Sequence, residues 1–176
     1  MDNYYVSKLL PLLAESGLAV IANPLINITL QGRHDTYPKR RGMTRVPELI
    51  AAGVPVAFGQ DCVMDPWYAL GSGDMLEVAH MGLHVAQMTS RDGMAACFDA
   101  VTRAPAQVLG LSHIGLVPGC RADVVLLQAR DAVEALRLRA TRLGVWRAGR
   151  RLASTPAQST ALHLPGRPGS VSFQHG

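Results

Sequence analysis

Residues 54–67 read VPVAFGQDCVMDPW, and the fold turns on how they are read. Residues 54–58 form an apolar run too short for an ordinary helix. The run is rich in β-branched valine, the composition of a buried strand. Gly59-Gln60-Asp61-Cys62 then ends the run, and Asp65-Pro66-Trp67 follows. A carboxylate at the C-terminal lip of a buried parallel strand is where α/β barrels keep their chemistry. The competing reading is that Asp61 only caps the turn after it, as Asp does in many loops.

Upstream, residues 2–15 carry Tyr5, Leu9, Leu12 and Leu13 at helical spacing, with Pro11 expected to kink or shorten the helix. Gly17 ends it, and residues 18–22 (LAVIA) read as a second buried strand closed by Asn23-Pro24. Residues 25–43 then read as one long loop. Its dense polar middle, with Gln31, Arg33, Asp35 and Tyr37, favours a functional loop over a disordered one. Thr44 is expected to cap a short helix reaching Ala52, with Pro47 in its first turn. Helix, strand, loop, helix, strand is the rhythm of a parallel sheet with crossover helices. Beyond Asp61, helices are expected over 73–88, 91–102 and 105–109. Short strands follow at 122–129, 143–149 and 151–155, with one or two helical turns over 131–139 between them. From Thr155 on, Pro, Gly, Ser and Thr without periodicity read as a loose tail.

The bulk composition agrees with a buried globular fold: of the 176 residues 48% are hydrophobic and 17% charged. The net charge of +4 comes from scattered basic residues, apart from Lys39-Arg40-Arg41 and the 137–151 segment. These read as solvated faces, and no aromatic–basic interleaving suggests a nucleic-acid partner. Cys62, Cys97 and Cys120 have no CxxC spacing, and no secretory signal is visible, so reduced thiols in a cytoplasmic protein are expected. No apolar run reaches the ~18–20 residues that span a bilayer.

Two patterns carry a family resemblance. Ala100-Val101-Thr102-Arg103-Ala104-Pro105-Ala106, then Leu109-Gly110-Leu111, then residues 115–125 (GLVPGCRADVV) resemble the closing signature of the amidohydrolase superfamily. There the chain leaves a metal-bearing (β/α)8 barrel and adds strands to a small β-sandwich. The second pattern is narrower. Residues 23–27 (NPLIN), 30–33 (LQGR), 35–42 (DTYPKRRG), Gly59, Asp61, 65–68 (DPWY) and 80–84 (HMGLH) resemble the cytosine deaminase branch. The likeness runs over nearly all of residues 5–155.

The resemblance implies roles by position. Asp61 matches the aspartate after the eighth barrel strand, which binds a single divalent metal, iron or zinc, and shuttles a proton to the substrate. Trp67 matches the residue lining the pyrimidine pocket, and Gln31 and Arg33 lie on the loop over the site. The chemistry stands without the analogy: a carboxylate on a divalent ion can take a proton from activated water, and an indole face packs a flat heteroaromatic ring. Cys62 stands where bacterial cytosine deaminases have a second Asp bordering the ring near C5. A smaller, neutral thiol there opens room for a 5-substituent; the other reading is that Cys62 is a small buried hydrophobe. Gln60 stands where the family commonly has His.

Much of the family site is missing. There is no HxH pair, no His and catalytic Glu of the fifth strand, and no His of the sixth. His80 and His84, one helical turn apart, read as ordinary helix residues or as a metal pair lacking its acid. A (β/α)8 barrel needs about 250 residues. The fold expected is therefore α/β: the last two βα units of a metal-dependent barrel over 1–112, β-sandwich strands over 113–155 and a flexible tail over 156–176.

The chain reads as the C-terminal part of a hydrolase acting on C–N bonds other than peptide bonds, in cyclic amidines. Its substrate is a small pyrimidine, cytosine or a 5-substituted cytosine, with ammonia released. Complete members of the branch are expected to be homo-oligomers, soluble in the cytoplasm, with no nucleic-acid or membrane partner. The isolated chain is expected to be inactive and poorly soluble, because its two strands would present an unpaired edge and a bare apolar face. Two rivals stand beside this reading: an amidohydrolase for another amino-heterocycle such as an amino-triazine, and a non-catalytic binding or assembly module.

Overall fold

The computed structural model describes residues 2–167 and 169. Helix α1 (Asn3–Ser16) leads into strand β1 (Val20–Ala22), helices α2 (Pro24–Leu30) and α3 (Val46–Ala51), and strand β2 (Val56–Phe58). The two strands pair in parallel, with Val20 opposite Val56, Ile21 opposite Ala57 and Ala22 opposite Phe58. Parallel strands need a crossover, and α2, α3 and the loop between them supply it. Helices α4 (Met75–Val85), α5 (Arg91–Asp99) and α6 (Arg103–Val108) follow. The chain then builds an antiparallel sheet of β3 (Val124–Leu127), β4 (Arg142–Arg147) and β5 (Arg150–Ser154), with α7 (Ala132–Leu138) inserted after β3.

The core forms where β2, α2, α3, α4 and α5 meet. Val56 and Phe58 of β2 pack with Leu25, Ile26, Val46, Val78 and Cys97, and Leu136 of α7 joins the same cluster. Gly82 sets the distance between α4 and β2: a Cβ there would fall 2.4 Å from the Phe58 ring, so only glycine lets the helix backbone rest on it. Arg142 of β4 forms an ion pair with Asp74, the residue capping α4, which ties the antiparallel sheet to the helices.

Several expectations need correction. Residues 25–43 are not all loop, because Pro24–Leu30 is helical. Pro24 occupies the first helical position, where its fixed φ and missing N–H are tolerated, so it starts a helix as well as ending a strand. Thr44 does not cap α3; the capping position is Arg45, with no side-chain cap bond. Pro47 in the first turn removes one N–H that a cap would serve. Pro11 lies inside a continuous α1. The buried stripe of α1 is Val6 with Leu10 and Leu13, whereas Tyr5 and Leu12 face solvent.

That leaves an apolar surface on one side of the chain. Tyr4, Tyr5 and Leu12 of α1, with Leu18 and Ile21 at β1, are exposed. Among the described residues no strand pairs with the outer edge of β1. The expected open edge is present, but the expected bare face of the strands is not: all three residues of β2 are buried, and in β1 only Ile21 is exposed. No helix among the described residues is long and apolar enough to cross a membrane. The described part of the 156–176 segment carries no helix or strand. Gln158 is held to the antiparallel sheet's margin by two hydrogen bonds with Gln128, at 2.7 and 2.9 Å. Residues 168 and 170–176 lie outside the described residues.

Candidate active site

Asn23 and Asp61 leave the C-terminal ends of β1 and β2 side by side. The parallel register puts Asn23 opposite Gly59, and a Cβ on Gly59 would fall 2.5 Å from Asn23 Oδ1. The Asn23 side chain therefore lies over a bare backbone and reaches across, donating from Nδ2 to Asp61 Oδ2 at 3.2 Å. Asp61 adopts a left-handed backbone, φ 65°, which Asp tolerates better than most residues. Its other oxygen, Oδ1, accepts from the Cys62 thiol at 3.4 Å. Each carboxylate oxygen is thus oriented by one hydrogen bond from within the chain, and the residue is exposed.

Cys62 stands among acids. The hydrogen bond to Asp65, together with burial and the bond to Asp61, pushes its thiol up to about 12. Negative neighbours disfavour the thiolate, so Cys62 presents a neutral, short side chain. The same contact holds the Asp65 carboxyl below the usual carboxylate range, reinforced by the backbone N–H of Tyr68. Asp65 Oδ1 accepts from Trp67 N and Tyr68 N, each at 2.9 Å, which shapes the turn carrying the two aromatics. Tyr68 turns into the core, and Trp67 is 64% exposed. The loop closes on itself through Met64 N to Leu70 O at 2.9 Å.

Gln31 ends α2 and lies against Gly42, where a Cβ would fall 1.2 Å from Gln31 Oε1. The 31–45 loop is held by its own charges. Arg40 donates to both oxygens of Asp35 at 2.6 and 2.7 Å, which lowers the Asp35 carboxyl to about 2. Lys39 donates to the Arg33 carbonyl at 3.1 Å.

His80 and His84 are structural. A carbonyl can only accept, so His80 Nδ1 donates to Leu136 O at 3.0 Å, joining α4 to α7. His84 Nδ1 likewise donates to His80 O at 2.7 Å. Among the described residues no group of three or more His, Cys, Asp or Glu is placed to hold a metal ion. The donors among the described residues do not make a metal site by themselves. Asp61 fits as one ligand of a larger set, because its carboxylate is exposed, pre-oriented and at a strand lip. In the sequence Asn23 reads as the end of a strand and as part of the 23–27 family pattern, with no role at the site. The signal was the matched endings of the two strands, Asn23 after Ala22 and Gly59 after Phe58, legible only once the register is known.

Comparison with known proteins gives this geometry a context. The model of a family described as "Amidohydrolase family" matches residues 1–153. A 5-methylcytosine deaminase from Klebsiella pneumoniae, solved with 5-fluorocytosine, superposes with a TM-score of 0.86 at 41% identity, over 94% of this chain and 40% of that one. An N-isopropylammelide isopropylaminohydrolase from Burkholderia multivorans superposes with a TM-score of 0.75 at 32% identity, over 89% of this chain and 37% of that one. A pterin deaminase of Rhizobium rhizogenes is 37% identical over 131 residues, 73% of this chain and 30% of that protein. The chain thus spans well under half the length of each of these relatives.

Proposed function

The chain belongs to the amidohydrolase family, an α/β fold of the TIM-barrel type, and from that premise we propose that it carries one wall of an active site for hydrolytic deamination of an amino-heterocycle. Residues 1–112 contribute the last two βα units of the (β/α)8 barrel, 113–155 strands of the small β-sandwich, and 156–176 a tail. The ring is cytosine or a 5-substituted cytosine, and the exocyclic amine leaves as ammonia.

The observation that carries this reading is the pre-oriented carboxylate of Asp61 at the β2 lip, held by Asn23 and Cys62. Asp61 would supply one ligand to a divalent ion, iron or zinc, which when bound would lower the pKa of water toward neutrality. Asp61 serves as its ligand and holds or passes the proton at a carboxylate oxygen. Trp67 offers its indole face to the ring. Cys62, neutral and short, leaves space where a longer acid would crowd a 5-substituent. Gln31 borders the pocket from the 31–45 loop. The isolated chain, whose described residues bring no three metal donors together, has negligible activity.

A second reading is supported by the Burkholderia relative, whose name records an isopropylammelide substrate. An amino-triazine is also flat and amino-substituted, and Trp67, 64% exposed, would offer it the same indole face.

The test is a chimaera in which this chain replaces the matching segment of the Klebsiella enzyme. Ammonia release is followed with cytosine, 5-methylcytosine, isocytosine and triazine amines, with and without added metal. Metal-dependent release, faster from 5-methylcytosine than from cytosine, is expected. Comparable rates from those two rings would remove the role given to Cys62. Release only from triazines would select the second reading. A folded, metal-loaded chimaera inert toward every ring would remove both.

A further inference from the structure

Gln60 lies between Gly59, the residue after β2, and Asp61, and the proposed chemistry gives it no task. Its carboxamide has two N–H donors and an acceptor oxygen. Nε2 and Oε1 are both buried, and neither has a hydrogen-bond partner among the described residues. Both atoms are shut off from solvent, closed in against Gly71 of the 61–72 loop.

Gly71 shows what surrounds it. Its backbone is left-handed, φ 90°, and a Cβ there would fall 2.8 Å from Gln60 Nε2, 3.3 Å from the Tyr68 ring and 3.5 Å from the Cys62 carbonyl oxygen. The two ends of the loop thus approach each other across the Gln60 amide. The bonds that close the loop, Met64 to Leu70 and Asp65 to Tyr68, lie at its tip. Two non-glycine residues of the loop hold left-handed conformations, Asp61 at φ 65° at its base and Met64 at φ 49° nearer its tip. Such backbone persists only when its surroundings over-determine it. A buried amide left without partners is destabilising in a way that a Leu or Met at this position is not.

We propose that Gln60 is a positioning residue that encloses a single water molecule at the base of the 61–72 loop, bridging its Nε2 and Oε1 to the Cys62 carbonyl. Three polar partners are enough to hold a buried water. The bridge fixes the segment that carries Asp61, Cys62 and Trp67. Its relevance to catalysis rests on the proposed function, but the loop itself can be read in this chain without any reaction, so the two ideas fail separately.

The experiment is amide hydrogen exchange on the 176-residue protein and on Gln60→Met, which keeps the volume and removes both polar atoms. Exchange across 61–72 is expected to speed up about tenfold, the effect of one lost hydrogen bond, with β1 and α4 unchanged. Gln60→His, which keeps a donor and an acceptor, restores protection. Unchanged or slower exchange in Gln60→Met would overturn the proposal, since the amide would then be uncompensated. If Gln60→Met does not fold, a high-resolution crystal structure of the unaltered protein decides. An ordered water touching Gln60 and the Cys62 carbonyl supports the bridge; a direct bond from the amide to the loop, or a dry amide, overturns it.

Discussion

Asn23 Nδ2 donates to Asp61 Oδ2 at 3.2 Å, joining residues 38 positions apart at the ends of two parallel strands. The bond orients the carboxylate before any ligand arrives, and outer partners of this kind typically account for about 10–100-fold in metal affinity. In the chimaera, Asn23→Ala is expected to weaken divalent-metal binding within that range, measured by competition with a chelator. Asn23→Asp, which sets a like charge beside Asp61, weakens it further unless the ion binds both carboxylates.

Gly82 and Phe58 set the contact between helix α4 and strand β2. Gly82→Ala is expected to cost about 1–3 kcal/mol, the usual range for overpacking a filled core, measured by urea denaturation. Phe58→Leu in the same chain relieves the clash, so the double variant is more stable than the sum of the single losses. Additive losses would show that the two residues do not press on each other.

The acids around Cys62 make a chemical prediction. With its thiol pushed up to about 12, Cys62 alkylates with iodoacetamide at pH 8 at least a hundredfold more slowly than a free thiol of pKa about 8.5. Asp65→Asn removes the largest contribution to that shift and speeds the reaction. Peptide mass spectrometry resolves Cys62 from Cys97 and Cys120. Rapid alkylation of Cys62 in the unaltered chain would contradict the contact.

Asp35 gives the pH dependence. Its folded-state carboxyl lies at about 2, held down first by Arg40, below an unfolded value of 3.8. A depressed acid contributes stability that is present above the unfolded value and lost as pH falls through the folded one. Protection of the 31–45 loop is therefore expected to fall between pH 4 and pH 2, read by hydrogen exchange. In Asp35→Asn that fall disappears. The pair is exposed, so the effect stays local to the loop.

The strands, the helices after Asp61 and the open edge were legible because short apolar runs and turn residues report on burial directly. The helix over Pro24–Leu30 was not, since Ile26, Ile28 and Thr29 are poor helix formers and Pro24 looks like a breaker. The buried face of α1 was misplaced because leucines lie on both sides of that helix, and only its neighbours select Leu10 and Leu13 over Leu12. Within the site, Asp61 and Trp67 stood out by residue type. Asn23, Gly59 and Gly71 matter through close approach to residues distant in sequence or across a loop, which no local pattern encodes.

Asp61 is proposed as a metal ligand. Divalent-metal content and ammonia release, measured together in the chimaera with Asp61 and with Asp61→Asn, test it most directly. The expected result is that the Asp61 chimaera binds the ion and releases ammonia, while Asp61→Asn, folded by circular dichroism, loses both. Equal metal content and equal ammonia release in the two proteins would contradict it.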